Sequence, residues 1–238
     1  MAMAEPVRQL ALDLPHRPAM DRDDFLVAPS NAVAVEWIDR WPDWPGKGLV
    51  LHGPSGAGKS HLAAVWCGLS GAVAVSPADL AEREPPAILG EAQACLLDDA
   101  DRALAAAPAL ERPLLHLYNL IAERRGALLL TARQAPARWS ISLPDLRSRL
   151  VTLQAAALGA PDDTLLRALL VKLFADRQLT LDEQALRFLL PRMERSFGAA
   201  RRLVAAADRT ALARRKDITV PLLREVLQDL SAGVAPED

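Results

Sequence analysis

The sequence predicts an α/β fold: a mostly parallel five-stranded sheet flanked by helices, followed by a small all-helical unit. Three observations lead there. Short apolar runs bounded by turn residues alternate with helical stretches over the first two-thirds of the chain. After about residue 157 the strand-like runs stop, and leucines recur at helical spacing. A glycine-rich loop stands between the first apolar run and the helix that follows it.

Residues 1–20 read as a flexible tail, with Pro6, Pro15 and Pro18. A helix is expected over 30–40, with Ser30 or Asn31 as N-cap and Val33, Val35, Trp37 and Ile38 as its apolar positions. Trp41-Pro42-Asp43-Trp44-Pro45-Gly46 breaks the chain before the first strand, Leu49-Val50-Leu51, which ends at Gly53. A helix follows from Lys59 to about Leu69, then a second strand at 73–75 and a third at 94–97. A helix over 110–125 leads to a fourth strand at 127–130, and Leu150-Val151-Thr152-Leu153 is the candidate fifth. Beyond it, Leu165, Leu169, Leu186, Leu203, Leu222 and their neighbours mark about four helices, the last with Thr219 as its N-cap. The expected division is 1–20, 21–157 and 158–238.

The charge balance excludes some functions. Lys and Arg number 28 and Asp and Glu 30, a net charge of −2. A chain held on DNA or on an anionic membrane mainly by its own charge would be basic, so strong direct DNA binding is not expected. No apolar run approaches the roughly 20 residues needed to span a bilayer. Asp13 and Pro15 interrupt any signal-peptide core. Cys67 and Cys95 have no zinc or redox spacing and read as thiols of a reducing, cytoplasmic compartment. His16, His52 and His116 lack metal-ligand spacing, and the five tryptophans are scattered as core or rim residues.

The strongest signal is Gly53-Pro54-Ser55-Gly56-Ala57-Gly58-Lys59-Ser60, which fits G-x-x-x-x-G-K-[ST] between a strand and a helix. The glycines let the backbone curl so that successive N–H groups face phosphate oxygens, and the next helix points its positive end at the same anion. Lys59 would reach the β- and γ-phosphates and the Ser60 hydroxyl would ligate Mg²⁺. His61 lies beside this set, as a nucleotide neighbour or a packing residue. A second acidic element should close the site from a neighbouring strand. Cys95-Leu96-Leu97-Asp98-Asp99 delivers it at a strand's C-terminal edge, where α/β sheets bind ligands. Asp98 would hold the metal directly or through water, and Asp99 would orient or activate the attacking water. The same aspartates could also start a helix.

These motifs, with a helical unit behind them, resemble an AAA+ ATPase module. Leu97-Asp98-Asp99-Ala100-Asp101 is similar to the Walker B element of the DnaA branch, and Leu117-Tyr118-Asn119-Leu120-Ile121-Ala122-Glu123 to the helix after it. Leu143-Pro144-Asp145-Leu146-Arg147-Ser148-Arg149-Leu150 resembles the segment that carries that branch's arginine finger. The resemblance makes Arg149 the finger, acting in trans on nucleotide bound to a neighbouring subunit. It covers about residues 20–232. It also implies a bound adenine nucleotide, ADP or ATP, with Phe25-Leu26-Val27 either lining the adenine or packing in the core, and Thr131 as the sensor-1 candidate. No basic helix-turn-helix domain is expected after the last helix, which narrows the resemblance to the Hda group of that branch. Gln9-Leu10-Ala11-Leu12-Asp13-Leu14 resembles the peptide that docks on the bacterial sliding clamp, with Leu12 and Leu14 in an apolar pocket and Gln9 at its rim.

The sequence departs from the pattern twice. The lid's sensor-2 arginine position falls on Gly198, leaving Arg195 or Arg201 to substitute. Arg133 stands where DnaA tends to be acidic. The expected protein therefore hydrolyses ATP weakly itself, binds the clamp, and stimulates hydrolysis in a DnaA partner, as a homodimer or within an AAA+-type hetero-assembly. The alternatives are a self-sufficient ATPase of the helicase-loader kind, which would bind single-stranded DNA, and a clamp-tethered adaptor without effect on hydrolysis.

Overall fold

The computed structural model describes residues 26–214 and 216–232. Ala32–Asp39 forms α1, the helix expected over 30–40. Its N-cap residue, Asn31, does not cap it through its side chain. The Asn31 amide turns back instead: its Oδ1 accepts from the Ala28 N–H at 2.8 Å and its Nδ2 donates to the Leu26 carbonyl at 2.9 Å.

Five strands follow: β1 (Gly48–His52), β2 (Val73–Val75), β3 (Ala94–Leu97), β4 (Ala127–Ala132) and β5 (Gln154–Ala157). All pair in parallel, in the order β2-β3-β4-β1-β5. Both faces of such a sheet are covered by helices, which is why the strands read as unbroken apolar runs. Alternate residues feed two cores. Val50, Cys95, Leu97, Leu128 and Leu130 face one side, and Leu49, Leu51, Leu96 and Leu129 the other. The second side holds α1 and α2 (Lys59–Ser70). There Trp44 stacks on Trp66 with ring centroids 5.3 Å apart, and Trp41 meets both edge-on. The first side holds α3 (Pro77–Glu82), α4 (Pro85–Leu89), α5 (Ala100–Ala106), α6 (Glu111–Glu123) and α7 (Pro144–Thr152).

The fifth strand corrects the sequence reading. Leu150-Val151-Thr152 is not a strand but the end of α7, whose Leu146 and Leu150 are both fully buried at i, i+4 spacing. The strand is the Ala-rich Gln154–Ala157, at the edge of the sheet beside β1. Apolarity alone favoured the leucines, but Pro144 at the first helical turn commits that segment to helix.

The remaining helices are α8 (Asp163–Ala175), α9 (Glu183–Leu189), α10 (Phe197–Arg214) and α11 (Val220–Ala232). They share a separate core around Phe174, Leu189, Val204 and Leu223. Asp162 and Asp182 cap α8 and α9 by accepting from the N–H groups of Leu165 and Ala185. Thr219 immediately precedes α11. Among the described residues no helix is long and apolar enough to cross a membrane.

Candidate nucleotide site

β1 sits between β4 and β5, so the chain leaves the sheet at the point where strand order reverses. Ligand crevices of open α/β sheets form there. The loop 53–58 leaves β1 and enters α2 through Gly58, which has φ +95°. Gly56, at φ +73°, supports a closer contact. A Cβ there would lie 2.2 Å from the Ser196 Cβ, so only glycine lets the start of α10 rest on the loop. The Phe197 N–H donates to the Gly56 carbonyl at 3.0 Å.

Lys59 is 6% exposed. Its ammonium donates to the carbonyls of Gly53 and Pro54, each at 2.9 Å. Burial lowers its pKa first of all; the nearby Asp99 and Asp98 carboxylates oppose that shift and Arg133 adds to it. A desolvated ammonium at the first turn of α2 is suited to phosphate oxygens.

The two acidic positions play different parts. Ser60 Oγ donates to Asp98, at 2.9 Å to Oδ2 and 3.1 Å to Oδ1. The Thr131 hydroxyl, fully buried at the end of β4, donates to Asp98 Oδ1 and accepts from the Asp99 N–H at 2.9 Å. Ser60, Asp98, Thr131 and the Asp99 backbone therefore form one continuous chain. Asp99 holds φ +49° before α5, so Asp98-Asp99 does open a helix as well. The Asp99 carboxylate lies 3.6 Å from Arg102. Asp101 accepts from the N–H groups of Arg133 at 2.8 Å and Gln134 at 3.3 Å, fixing the turn after β4.

Among the described residues no group of three or more His, Cys, Asp or Glu side chains forms a metal cage. A magnesium ion would rely instead on the adjoining Ser60 hydroxyl and Asp98 carboxylate. These hard oxygen donors suit an ion that keeps waters and takes phosphate oxygens.

Between the loop and α10 lies a cleft of about 200 Å³. Ser55, Lys59, Ser60 and His61 line it from the loop side, Asp99 and Arg133 from the strand ends, and Phe197, Gly198 and Arg201 from the lid. Arg201 Nη2 donates to His61 Nδ1 at 2.8 Å. Burial lowers the Arg201 guanidinium's pKa below its ordinary value. Arg195 instead meets Asp163 at 2.8 Å. Of the two candidates for the missing lid arginine, the structure brings Arg201 to the cleft.

Other expected residues lie elsewhere. Leu26 packs against the lid core and Val27 is 54% exposed; neither lines the cleft. Phe25 and the motif Gln9, Leu10, Leu12 and Leu14 lie outside the described residues. Arg149, on α7, is half-buried and outside the cleft, with its guanidinium 5.5 Å from the Tyr118 ring centroid. The sequence reading missed Ser196 and Phe197. Their signal was present: Ser196 Oγ accepts from the Ala199 N–H at 3.0 Å, the N-cap pattern of a serine before a helix.

Residues 162–227 match the family described as "Hda, lid domain". The lid of this chain is thus similar to the lid of Hda proteins. Solved structures agree on the AAA+ fold. Domain III of the Thermotoga maritima replication initiation protein DnaA superposes with a TM-score of 0.78 at 17% identity, over 91% of this chain and 98% of that one. A DnaA bound to AMPPCP and single-stranded DNA matches with 0.68 at 16% identity, over 91% of this chain and 69% of that one. AMPPCP-bound DnaA from Aquifex aeolicus matches with 0.67 at 16%, over 79% and 64%.

Proposed function

We propose that this chain is an Hda-like regulator of replication initiation that promotes hydrolysis of ATP held by DnaA. The Hda-type lid over residues 162–227, seated on a P-loop, carries the reading. In this reading the chain holds adenine nucleotide, with ADP as a resident ligand, along Gly53, Pro54, Ser55, Gly56, Ala57, Gly58, Lys59 and Ser60. Lys59 and Arg201 neutralise phosphate charge, and Ser60 and Asp98 hold Mg²⁺. Thr131 keeps Asp98 oriented. Asp99 would orient the attacking water.

Arg149 acts elsewhere. Its position outside the chain's own cleft supports a role in trans: offered to a neighbouring DnaA, a guanidinium there would stabilise charge that develops on the transferring γ-phosphoryl group. The tail 1–20 would dock on the sliding clamp through Gln9, Leu10, Leu12 and Leu14, bringing the finger to DnaA at sites of replication. The unit 21–157 holds nucleotide and 158–238 forms the lid. The chain would act in the cytoplasm, as a homodimer or within an AAA+-type hetero-assembly.

The test is phosphate release from radiolabelled ATP pre-bound to DnaA, with clamp loaded on DNA, with and without this protein. Acceleration that disappears with Arg149→Ala or Gln9→Ala is expected. No acceleration, with the clamp engaged, would leave a clamp-tethered adaptor. A second reading, a self-sufficient ATPase, is favoured by Arg201 in the cleft. Multiple turnovers by this chain alone would establish it.

A further inference from the structure

We infer that Glu111, remote from the nucleotide cleft, is a positioning residue for the Arg149 finger. The inference rests on the trans-finger reading above. Glu111 opens α6 and is only 4% exposed, an unusual place for a carboxylate. A buried carboxylate needs hydrogen-bond partners. Here both come from the backbone of another element. Oε1 accepts from the Ser142 N–H at 2.9 Å, and Oε2 from the Leu143 N–H at 2.7 Å. These are the two residues before Pro144, the first residue of α7, and Leu143 is that helix's N-cap.

The contact holds where α7 begins and in which direction it runs. The Leu143 side chain makes no capping hydrogen bond and Pro144 has no N–H, so the helix start depends on this outside acceptor. Arg149 follows five positions after Pro144, more than one turn along the same rigid helix. A tilt at the start therefore moves the guanidinium directly. A second α6 residue meets the far end: Tyr118 lies under the Arg149 guanidinium. One helix thus holds the finger helix at its root and its tip.

The root also reaches back to the nucleotide site. The segment 133–143 leaves the cleft pinned at its start by Asp101 and held midway by the Trp139 indole N–H, which donates to the Gln134 carbonyl at 2.7 Å. Glu111 is the last fixed point before α7. Exchanging one carboxylate oxygen for an amide nitrogen leaves one backbone N–H facing an NH₂ group, a repulsive pairing inside a buried site.

Two readouts test this on the full chain: phosphate release from DnaA-bound ATP with loaded clamp, and ¹⁹F NMR with fluorotyrosine. Tyr118 is the single tyrosine, so it gives one resonance. For Glu111→Gln we expect a maximal stimulated rate at least tenfold lower, a half-saturating concentration within about twofold of wild type, and a resonance shifted as in Arg149→Ala. General damage would instead lower the active fraction and raise the half-saturating concentration. If Arg149→Ala is inactive while Glu111→Gln stimulates fully, the positioning role is overturned and the finger stands. If Arg149→Ala stimulates like wild type, the finger reading fails and Glu111's role goes with it. Should Glu111→Gln melt below the assay temperature, Glu111→Asp, which keeps the charge but shortens the reach by one methylene, is read by the same split.

Discussion

Arg201 of the lid meets His61 across the nucleotide cleft, its Nη2 2.8 Å from the imidazole Nδ1. A guanidinium only donates, so the imidazole Nδ1 accepts in this pairing. The matching position, Gly198, has no side chain to offer, but Arg201 stands three residues on, on the same helix face. A charge-assisted hydrogen bond contributes roughly 1.5–3 kcal/mol, so Arg201→Ala should weaken ADP binding on the order of 10- to 100-fold. Arg195→Ala, which loses only an exposed pair with Asp163, should stay within about twofold. Calorimetric titration with ADP decides; equal affinities for wild type and Arg201→Ala would remove Arg201 from the site.

Thr131→Val keeps the shape at a fully buried position but removes the hydroxyl that joins Asp98 to the Asp99 backbone. The Asp99 N–H loses its acceptor. A stability loss of about 1–3 kcal/mol is expected by denaturant melt. Nucleotide affinity should fall in magnesium buffer, and the gap to wild type should narrow with EDTA. A gap that EDTA leaves unchanged would separate Thr131 from the metal position.

Gly56→Ala should unseat the lid. It combines left-handed backbone, costing about 1–2 kcal/mol, with a Cβ 2.2 Å from Ser196. Gly71→Ala is the control: φ is +65°, yet nothing lies within 4 Å of the added carbon. Its melting point should fall by backbone strain alone, and Gly56→Ala further, with faster proteolysis near residue 196. Equal melting points would mean that the lid yields without cost.

The cysteines give a pH prediction. Burial pushes the Cys95 thiol up to about 12 and raises Cys67 as well. At pH 8 the folded protein should react slowly with DTNB, with Cys95 titrating only on unfolding. A raised folded-state value means that the folded chain keeps a proton the unfolded chain gives up. Stability is therefore full below about pH 9 and declines toward pH 12. Rapid labelling of two thiols in the native state would contradict this burial.

The loop 53–60 and the pair Asp98-Asp99 were legible because their chemistry is local: glycine spacing and an acidic strand end can be read within a few residues. Strands β1 to β4 were legible because parallel strands are apolar on both faces. Strand β5 was not, since a glutamine and three alanines at a sheet edge carry little apolar signal and α7 beside them carries a strong one. The lid's approach was also hidden. Gly56 meets Ser196, and His61 meets Arg201, across 140 residues in each case, and single-chain periodicity holds no information on such contacts. Tail residues such as Gln9 stay at the level of pattern.

The five tryptophans all precede residue 140, and the lid helices contain none. Three of them, Trp41, Trp44 and Trp66, form one ring cluster against α2. The intrinsic emission of this protein is thus a private signal of the sheet-bearing half, while far-ultraviolet dichroism is weighted toward helix and reports both halves, the all-helical lid included. Melting followed in the two lights at once would time the separate collapse of the two halves without a label, and added nucleotide, by bridging them, would bring the two curves together.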